Sequence, residues 1–205
     1  PTRARDYISY SLAREAGIMA PRVGWAEVYA NGNYYGIYMI IEQHDDQMIE
    51  ASHPGMGATG VMFEPNESRT GGWGWNDFGS GNTDQWDYEE GPIPPDPEVL
   101  ASLAAADALV AGAASNANVE ELWTYVDKDN LMSYMAWESV VSHGDGYKAP
   151  NNWRVFIHPD DKKIRLVPAG AEWTWDMQPF ALSWGGRLAS WCLDNQGCRG
   201  DYGER

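Results

Sequence analysis

The loop SHGDGYKAPNNWRVF, residues 142–156, places one carboxylate and two amides just ahead of a strand-like run. The carboxylate is Asp145, the amides are Asn151 and Asn152, and a further acid, Glu172, follows the next strand-like run. In an antiparallel hairpin, the start of the first strand lies beside the end of the second, at a spacing of about 5 Å. We therefore expect these four side chains to meet at the open end of one hairpin.

Oxygen atoms gathered at one point suit a hard cation. Mg²⁺ is usually held by one or two carboxylates while substrate phosphates supply other ligands, and a spare carboxylate can orient a hydroxyl and accept its proton. An acid and an amide before a hairpin, with an acid after it, is also the chain order of the phosphotransfer site in protein kinases. Gly, Asp and Asn are ordinary loop residues, however, and Asp145 could do no more than close an Asx-turn. The spacing alone leaves both interpretations open.

The first 65 residues predict one helix and three strands. Residues 4–16, ARDYISYSLAREA, put Tyr7, Ile8, Leu12 and Ala16 on one stripe, which predicts an amphipathic helix that Gly17 stops. The run VGWAEVYANGNYYGIYMIIEQHD holds two β-rich segments around an Asn-Gly pair, the strongest short hairpin signal. A short strand, GVMFEP, follows at residues 60–65.

The rest of the chain predicts helices around a second hairpin. Residues 66–97 are rich in Gly, Trp, Asp and Pro without a sustained period, which predicts a long irregular insertion. Helices are expected over about 97–114, 119–126 and 127–141, with Asp127 as an N-cap. NWRVFIH and KIRLVP form the hairpin, and the tail from 186 to 205 begins helical and is expected to stop short of its natural end.

These elements predict an α+β fold in one domain over residues 1–205. A small β-rich N-terminal part would cover about residues 1–96, and a more helical C-terminal part would cover about residues 97–205.

Composition narrows the classes of partner. The 30 acidic and 14 basic residues give a formal charge of −16, which argues against binding nucleic acid or an anionic membrane through a basic face. Cations, basic peptides and neutral sugars are better suited. The four lysines all lie at or after Lys128. No apolar stretch approaches the length of a membrane span, and the start PTRARDY has neither an initiator Met nor a signal-peptide pattern, so the chain is expected to be a piece of something longer.

The two cysteines, Cys192 and Cys198, would point to different faces of a continuous helix. The LDNQG between them favours a turn, so a disulfide and two free thiols both remain open. Many Trp and Tyr residues, few lysines and a disulfide would together suit an extracellular or cell-surface protein.

Two long blocks resemble the CotH family of spore-coat kinase-like proteins. RDYISYSLAREAGIMAPRVGWAEVYANGNYYGIYMIIEQHD is similar to the family's helix with Arg-Asp and a hairpin ending in Glu, and VDKDNLMSYMAWESVVSHGDGYKAPNNWRVFIHPDDKKIRLVP is similar to its helix, Asp loop, Asn-Asn and strand pair. The resemblance covers roughly residues 3–178. It implies an atypical protein-kinase-like fold that transfers phosphate from ATP, with Mg²⁺ or Mn²⁺, to Ser or Thr of a protein.

Carried over by position, the resemblance makes Asp145 the catalytic carboxylate, Asn152 or Asn151 a metal-side amide, and Glu42 the acid that closes the first hairpin. Two positions depart from the pattern. Where the family has Pro-Trp-Asp-x-Asp, this chain has PAGAEW, which leaves Gly170 and Glu172 at the two aspartate positions. Where the family commonly has Lys after the short strand, this chain has Glu64.

These departures from the family pattern determine how much kinase activity we expect. Glu is longer than Asp, so Glu172 can still reach a metal, but a negative charge at Glu64 would repel a triphosphate, with Arg22 or Arg69 as the nearest candidate cations. Phosphoryl transfer depends on such charge-stabilising groups. A weak kinase and a pseudokinase are therefore both open outcomes.

Two other function classes compete with the kinase. The 11 Trp and 11 Tyr suit a surface module that binds sugar or protein, with Trp73, Trp75 and Trp86 as candidates. Against this, aromatic residues in predicted strands and helices are expected in the core; these are Trp25, Tyr38, Trp123, Tyr134 and Trp137. A glycoside hydrolase that pairs Asp145 with Glu172 is the third alternative.

Overall fold

The computed structural model describes residues 4–66, 77–79, 85–114, 117–175 and 185–203. The helices within these residues are α1 (Arg5–Glu15), α2 (Asp46–Ser52), α3 (Pro97–Ala111), α4 (Val119–Tyr125), α5 (Lys128–Val140), α6 (Arg187–Asp194) and α7 (Gln196–Gly203). The strands are β1 (Val23–Ala30), β2 (Asn33–Ile41), β3 (Val61–Pro65), β4 (Trp86–Glu90), β5 (Trp153–Ile157) and β6 (Ile164–Pro168). A 3₁₀ turn, Ala171–Trp173, follows β6. The fold is α+β, as the sequence predicted.

The strands form two antiparallel sheets. β1 and β2 make a two-stranded sheet around the predicted Asn-Gly turn, and the other strands make a four-stranded sheet in the order β4-β3-β5-β6. β3 pairs with β5, so strands from both sides of residue 97 share the larger sheet. The hairpin of β5 and β6 aligns Trp153 with Pro168 at one end and Ile157 with Ile164 at the other.

β4 corrects the prediction of an irregular insertion over residues 66–97. Its sequence, WDYEE, has little strand signal of its own, but it pairs with β3 from Pro65↔Trp86 to Met62↔Glu90. Strand propensity is decided largely by cross-strand neighbours. The remainder of the insertion, including Arg69, Trp73 and Trp75, lies outside the described residues.

Helix α1 forms as predicted, but its expected apolar stripe is not the buried face. Tyr7, Ile8 and Leu12 are each about 40% exposed, whereas Tyr10 is buried at 2% exposure. Hydrogen bonds set this orientation around Ser9, whose hydroxyl donates to Thr174 Oγ1 at 2.8 Å and whose carbonyl accepts from Trp137 Nε1 at 2.8 Å. The stripe prediction was wrong because these buried polar contacts, made with distant parts of the chain, determine which side of the helix docks.

The other helices begin largely where their capping residues predict. Asp127 accepts a hydrogen bond from Asn130 N at 2.8 Å and caps α5. Asp96 and Asn118 cap α3 and α4 in the same way. The short helix α2 was not predicted, although Asp45 caps it by accepting bonds from the second and third backbone N–H groups of its first turn.

The core lies between the larger sheet and the helices, with an aromatic cluster at its centre. Trp153 on β5 packs against Tyr147 at a ring-centroid distance of 4.3 Å and against Trp86 at 5.7 Å. The predicted burial is confirmed for three aromatic residues, Trp123, Tyr134 and Trp137. It is wrong for Trp25 and Tyr38, which are 45% and 46% exposed.

The C-terminal helices are joined by a disulfide. Cys192 in α6 and Cys198 in α7 are bonded, which decides between the two alternatives left open by the sequence. Asn195 makes the turn between the helices, and its side chain donates to the carbonyls of Ala114 and Ala117. Among the described residues, no helix is both long and apolar enough to cross a membrane.

Candidate functional site

The side chains of Asp145, Asn151 and Asn152 meet at the open end of the β5–β6 hairpin. Asp145 Oδ1 accepts a hydrogen bond from Asn151 Nδ2 at 2.8 Å, and Asp145 Oδ2 accepts one from Asn152 Nδ2 at 2.8 Å. Asn152 adopts a positive φ of 45°, which turns the chain into β5. The carboxylate is thereby fixed by both amides while each oxygen keeps a free lone pair.

A buried histidine and a buried carboxyl support the Asp145 loop from behind. His143 Nε2 donates to the carbonyl of Gly170 at 2.9 Å, and Glu138 Oε1 accepts from Lys148 N at 3.0 Å. Burial lowers the pKa of His143 and raises that of Glu138 to about 8. The two lie 3.8 Å apart, but both are neutral near pH 7, so the contact is not an ion pair. A Cβ on Gly146 would clash with both groups, which is why the loop carries glycine there.

Gly170 is shaped to accommodate Asn152. Its φ is +51°, and a Cβ there would lie 2.6 Å from Asn152 Cγ. The position where the related pattern carries an aspartate is therefore closed to any side chain in this protein, because the Asn152 amide fills it.

A cleft of about 540 Å³ opens beside this hairpin end. Its walls come from α1, the end of β2, β5 and the 3₁₀ turn. Among its lining residues are Asp6, Tyr10, Glu42, Arg154, Gly170 and Glu172. Asp145 connects to this wall through Asn152, which bonds to Asp145 on one side and packs against Gly170 on the other.

Glu64 is paired rather than free. It projects from β3 toward the neighbouring strand, where Arg154 Nη2 lies 3.2 Å from its Oε2. Burial raises the pKa of Glu64, and the charge of Arg154 opposes that shift. Arg154 also donates from Nη1 to His44 Nδ1 at 3.4 Å, while His44 Nε2 donates to Pro168 O. The half-buried acid is thus largely neutralised by an arginine that the sequence did not single out.

Glu42 does not act as a free charge in the cleft. Glu42 accepts from Arg22 Nε at 2.7 Å and from Arg22 N at 2.9 Å. Burial tends to raise the pKa of Glu42, but these bonds outweigh it and hold the pKa below its ordinary value. Arg22 is occupied at the rim by this pair, and Arg69 lies outside the described residues.

Sequence reasoning missed several cleft residues, among them Asp6, Tyr10 and Arg154. Asp6 and Tyr10 sit on the buried face of α1, which the stripe prediction placed on the wrong side. Burial and the nearby charge of Glu172 raise the pKa of Asp6. The Arg-Asp pair that opens the first family-like block was the one available signal for Asp6; nothing in the sequence pointed to Tyr10.

The donor set fits a metal that completes its shell with ligand oxygens. No group of three or more His, Cys, Asp or Glu suited to a metal occurs within the described ranges. Mg²⁺ commonly needs only one or two carboxylates when phosphates supply further ligands. Asn151 Oδ1 is buried and accepts no hydrogen bond from the described residues, which leaves an amide oxygen unsatisfied beside Asp145.

Comparison with known proteins assigns the family. No curated protein matches the sequence. The family model described as CotH kinase protein matches residues 1–178, which includes every element from α1 to the 3₁₀ turn. The resemblance drawn from the two sequence blocks is confirmed, and the chain belongs to the CotH kinase protein family.

Proposed function

We propose that this domain binds ATP with Mg²⁺ or Mn²⁺ in the cleft and transfers a phosphoryl group to Ser or Thr of a protein. The observation that carries the proposal is the Asp145 carboxylate, held by two amides, one of which packs against Gly170 in the wall of an acidic cleft. A carboxylate fixed in this way can orient an acceptor hydroxyl and take its proton. We also propose that the chain forms one domain with a kinase-like arrangement of its N-terminal and C-terminal parts.

The other residues have separate roles in this proposal. Asn151 and Asn152, which bond to Asp145, and Glu172, which lines the cleft, would hold the metal, and Glu42, held by Arg22, would close the nucleotide side of the cleft. The metal would offset the negative charge of the phosphates. Catalysis then rests on positioning, since phosphoryl transfer asks little covalent chemistry of the protein.

The turnover is expected to be low, and a pseudokinase that binds nucleotide without transfer is the limiting case. Gly170 supplies no carboxylate, and Glu64 has replaced a cation. Arg154 offsets part of the negative charge of Glu64 by pairing with it at 3.2 Å. The cleft therefore repels a triphosphate less than the sequence suggested.

Calorimetric titration of the chain with MgATP, followed by incubation with labelled ATP, tests the proposal. We expect heat of binding and slow incorporation of label, with incorporation lost in Asp145→Asn. Asp160→Asn, an exposed acid in the turn between β5 and β6, is the matched control. Absence of both heat and label in the wild-type chain would contradict the proposal.

The partner is proposed to be a protein substrate or a surface-layer protein in an extracellular or cell-surface setting. The Cys192–Cys198 disulfide supports an oxidising compartment. No nucleic acid partner is proposed, because the charge of −16 disfavours it.

A second candidate function is a protein-binding surface on the β1–β2 hairpin. Its exposed aromatic residues are Trp25, Tyr29, Tyr34, Tyr35 and Tyr38. Trp86, one of the aromatic residues first considered for binding, instead packs on Trp153. Pull-down with candidate surface proteins should weaken in Tyr34→Ser and Tyr35→Ser if the hairpin binds them, and unchanged pull-down would count against this function.

A further inference from the structure

The cleft brings together two carboxylates that the sequence separates by more than 160 residues. Asp6 lies on α1 and Glu172 on the 3₁₀ turn, two elements that pack against each other. Ser9, one turn after Asp6, fixes this packing by donating to Thr174 at 2.8 Å. Both acids line the cleft, and Glu172 lies close enough for its charge to act on Asp6.

Asp6 is buried, and no cation among the described residues forms an ion pair with it. Only 8% of the residue is exposed, and the hydrogen bond to its side chain comes from its own backbone N–H. None of the ion pairs among the described residues includes it. A buried carboxylate beside a second carboxylate is costly unless a positive charge joins them.

Tyr10 gives a second, independent indication of a ligand. It is 2% exposed yet lines the cleft. Its own O–H has no acceptor among the side chains and carbonyls of the described residues. A buried phenol normally donates to a partner. This donor is therefore available to an oxygen atom in the cleft, such as a metal-bound water or a phosphate.

The net charge of the cleft selects the class of ligand. Its lining carries Asp6, Glu42, Glu89 and Glu172 against Arg154. Glu42 is neutralised by Arg22, and Arg154 is engaged by Glu64. Asp6, Glu89 and Glu172 then have no ion-pair partner among the described residues, and the two whose charges act on Tyr10 are Asp6 and Glu172. Two such carboxylates are the number that Mg²⁺ or Mn²⁺ takes from a protein when other ligand oxygens are present.

We propose that Asp6 and Glu172 form a two-carboxylate site for a divalent cation, in which Asp6 supplies a carboxylate that Gly170 cannot. The inference rests on the proposed function, since the cation would serve the same cleft. The Asn152 amide occupies the space at Gly170, where a Cβ would lie 2.6 Å from Asn152 Cγ, so a ligand cannot return there. Asp6 lines the cleft from α1 and does not need the space at Gly170.

Titration with Mn²⁺, read by the loss of the free-ion electron paramagnetic resonance signal, tests the site in the absence of nucleotide. We expect the wild-type chain to bind about one Mn²⁺ that Mg²⁺ displaces. Asp6→Asn and Glu172→Gln should each weaken binding by at least about tenfold. Asp160→Asn makes the same amide change as Asp6→Asn at the far end of the β5–β6 hairpin, and it should bind as the wild type does.

Thermal unfolding without metal separates ligation from folding. Asp6→Asn removes a buried charge next to Glu172, so its midpoint should equal or exceed that of the wild type. The rise in midpoint that Mn²⁺ gives the wild type should disappear in this variant. Equal Mn²⁺ affinity in Asp6→Asn and the wild type, or no Mn²⁺ binding by the wild type, overturns the inference.

The outcome for the metal site is distinct from the outcome for the kinase. Mn²⁺ binding that needs Asp6, in a chain that neither binds ATP nor transfers label, upholds the site and contradicts the proposed function. Label transfer that survives Asp6→Asn unchanged upholds the proposed function and contradicts the site.

Discussion

The two hairpins of this protein form through similar local sequence signals, but one is exposed and the other is buried. β1–β2 carries the stronger turn signal and the longer pairing, from Val23↔Ile41 to Ala30↔Asn33, yet none of its residues is fully buried. β5–β6 is shorter, but four of the five residues in each strand are buried. Turn residues and alternation fix the pairing of a hairpin. Burial depends on what packs against it, and only the second hairpin has a sheet on one edge and helices around it.

The difference explains why the candidate site lies at the second hairpin. Asp145 and Asn152 are held by a loop whose supports, His143 and Glu138, are both buried. A catalytic carboxylate needs such fixed neighbours, because small displacements cost much of its effect. The first hairpin has no comparable support and instead exposes aromatic and aliphatic side chains, which suits contact with another protein.

Truncating a tryptophan in each hairpin should give the largest difference in the free energy of unfolding between the two hairpins. Trp153→Ala removes a ring that is 1% exposed and packs on Tyr147 and Trp86, so we expect a loss of about 3–5 kcal/mol in the free energy of unfolding. Trp25→Ala on β1, where the ring is 45% exposed, should cost less than about 1 kcal/mol. Urea denaturation measures both, and similar losses would remove the distinction between the hairpins.

Adding one methyl group at a glycine at each hairpin should give the next largest difference in stability loss. Gly170→Ala strains a φ of +51° and pushes a Cβ against Asn152, so we expect a loss of about 2–3 kcal/mol and weaker Mn²⁺ binding. Gly32→Ala, at a φ of +80° with nothing within 4 Å, should cost about 1 kcal/mol of strain alone. Denaturation and metal titration of the pair test this, and a milder effect at Gly170 would mean that Asn152 can move aside.

Glu138, which lies on α5 and supports the Asp145 loop, should make the free energy of unfolding depend on pH. Burial raises its pKa in the folded state from the ordinary value of 4.5 to about 8. Between these values the folded state holds a proton that the unfolded state has lost, so this group's contribution to stability falls as pH rises from about 4.5 to 8. Glu138→Gln should flatten that decline in unfolding curves measured from pH 5 to 8.

The control for this dependence is Glu27→Gln on the exposed face of β1. Its unfolding curves should follow those of the wild type at every pH. A wild-type decline that persists in Glu138→Gln would assign the pH dependence to another group.

Breaking one ion pair at each hairpin should give the smallest difference in stability loss. Arg154→Gln leaves Glu64 half-buried without its cation, so we expect a loss of about 1 kcal/mol. Arg22→Gln, whose side chain is 54% exposed in its pair with Glu42, should leave the denaturation midpoint unchanged. A larger loss at Arg22 than at Arg154 would show that the first hairpin depends on its rim pair for stability.

Much of the fold was predictable because its signals are local. The Asn-Gly turn, the cap at Asp127, and the strands around PDDK each depend on residues that are neighbours in the sequence. The meeting of Asp145 with Asn151 and Asn152 followed from the same hairpin geometry. The family also followed from sequence, since its blocks are contiguous.

The parts that were missed depend on contacts between distant residues. β4 is a strand because β3 lies beside it, and Arg154 neutralises Glu64 because β3 and β5 are adjacent. Neither pairing has a local signature, since the partners are separated by roughly 20 to 90 positions. The cysteines show the same limit: spacing left their state open, and the turn at Asn195 between two helices brings them together.

The sequence by itself determined the family, the two hairpins, most of the helices and the polar loop that carries Asp145. The tertiary structure decided which face of α1 is buried, and with it the presence of Asp6 and Tyr10 in the cleft opposite Glu172. Helical periodicity finds an apolar stripe but not the buried polar partners that compete with it. Here the hydrogen bonds of Ser9 to Thr174 and Trp137 prevailed, so the helix turns a carboxylate inward and leaves its apolar stripe partly exposed.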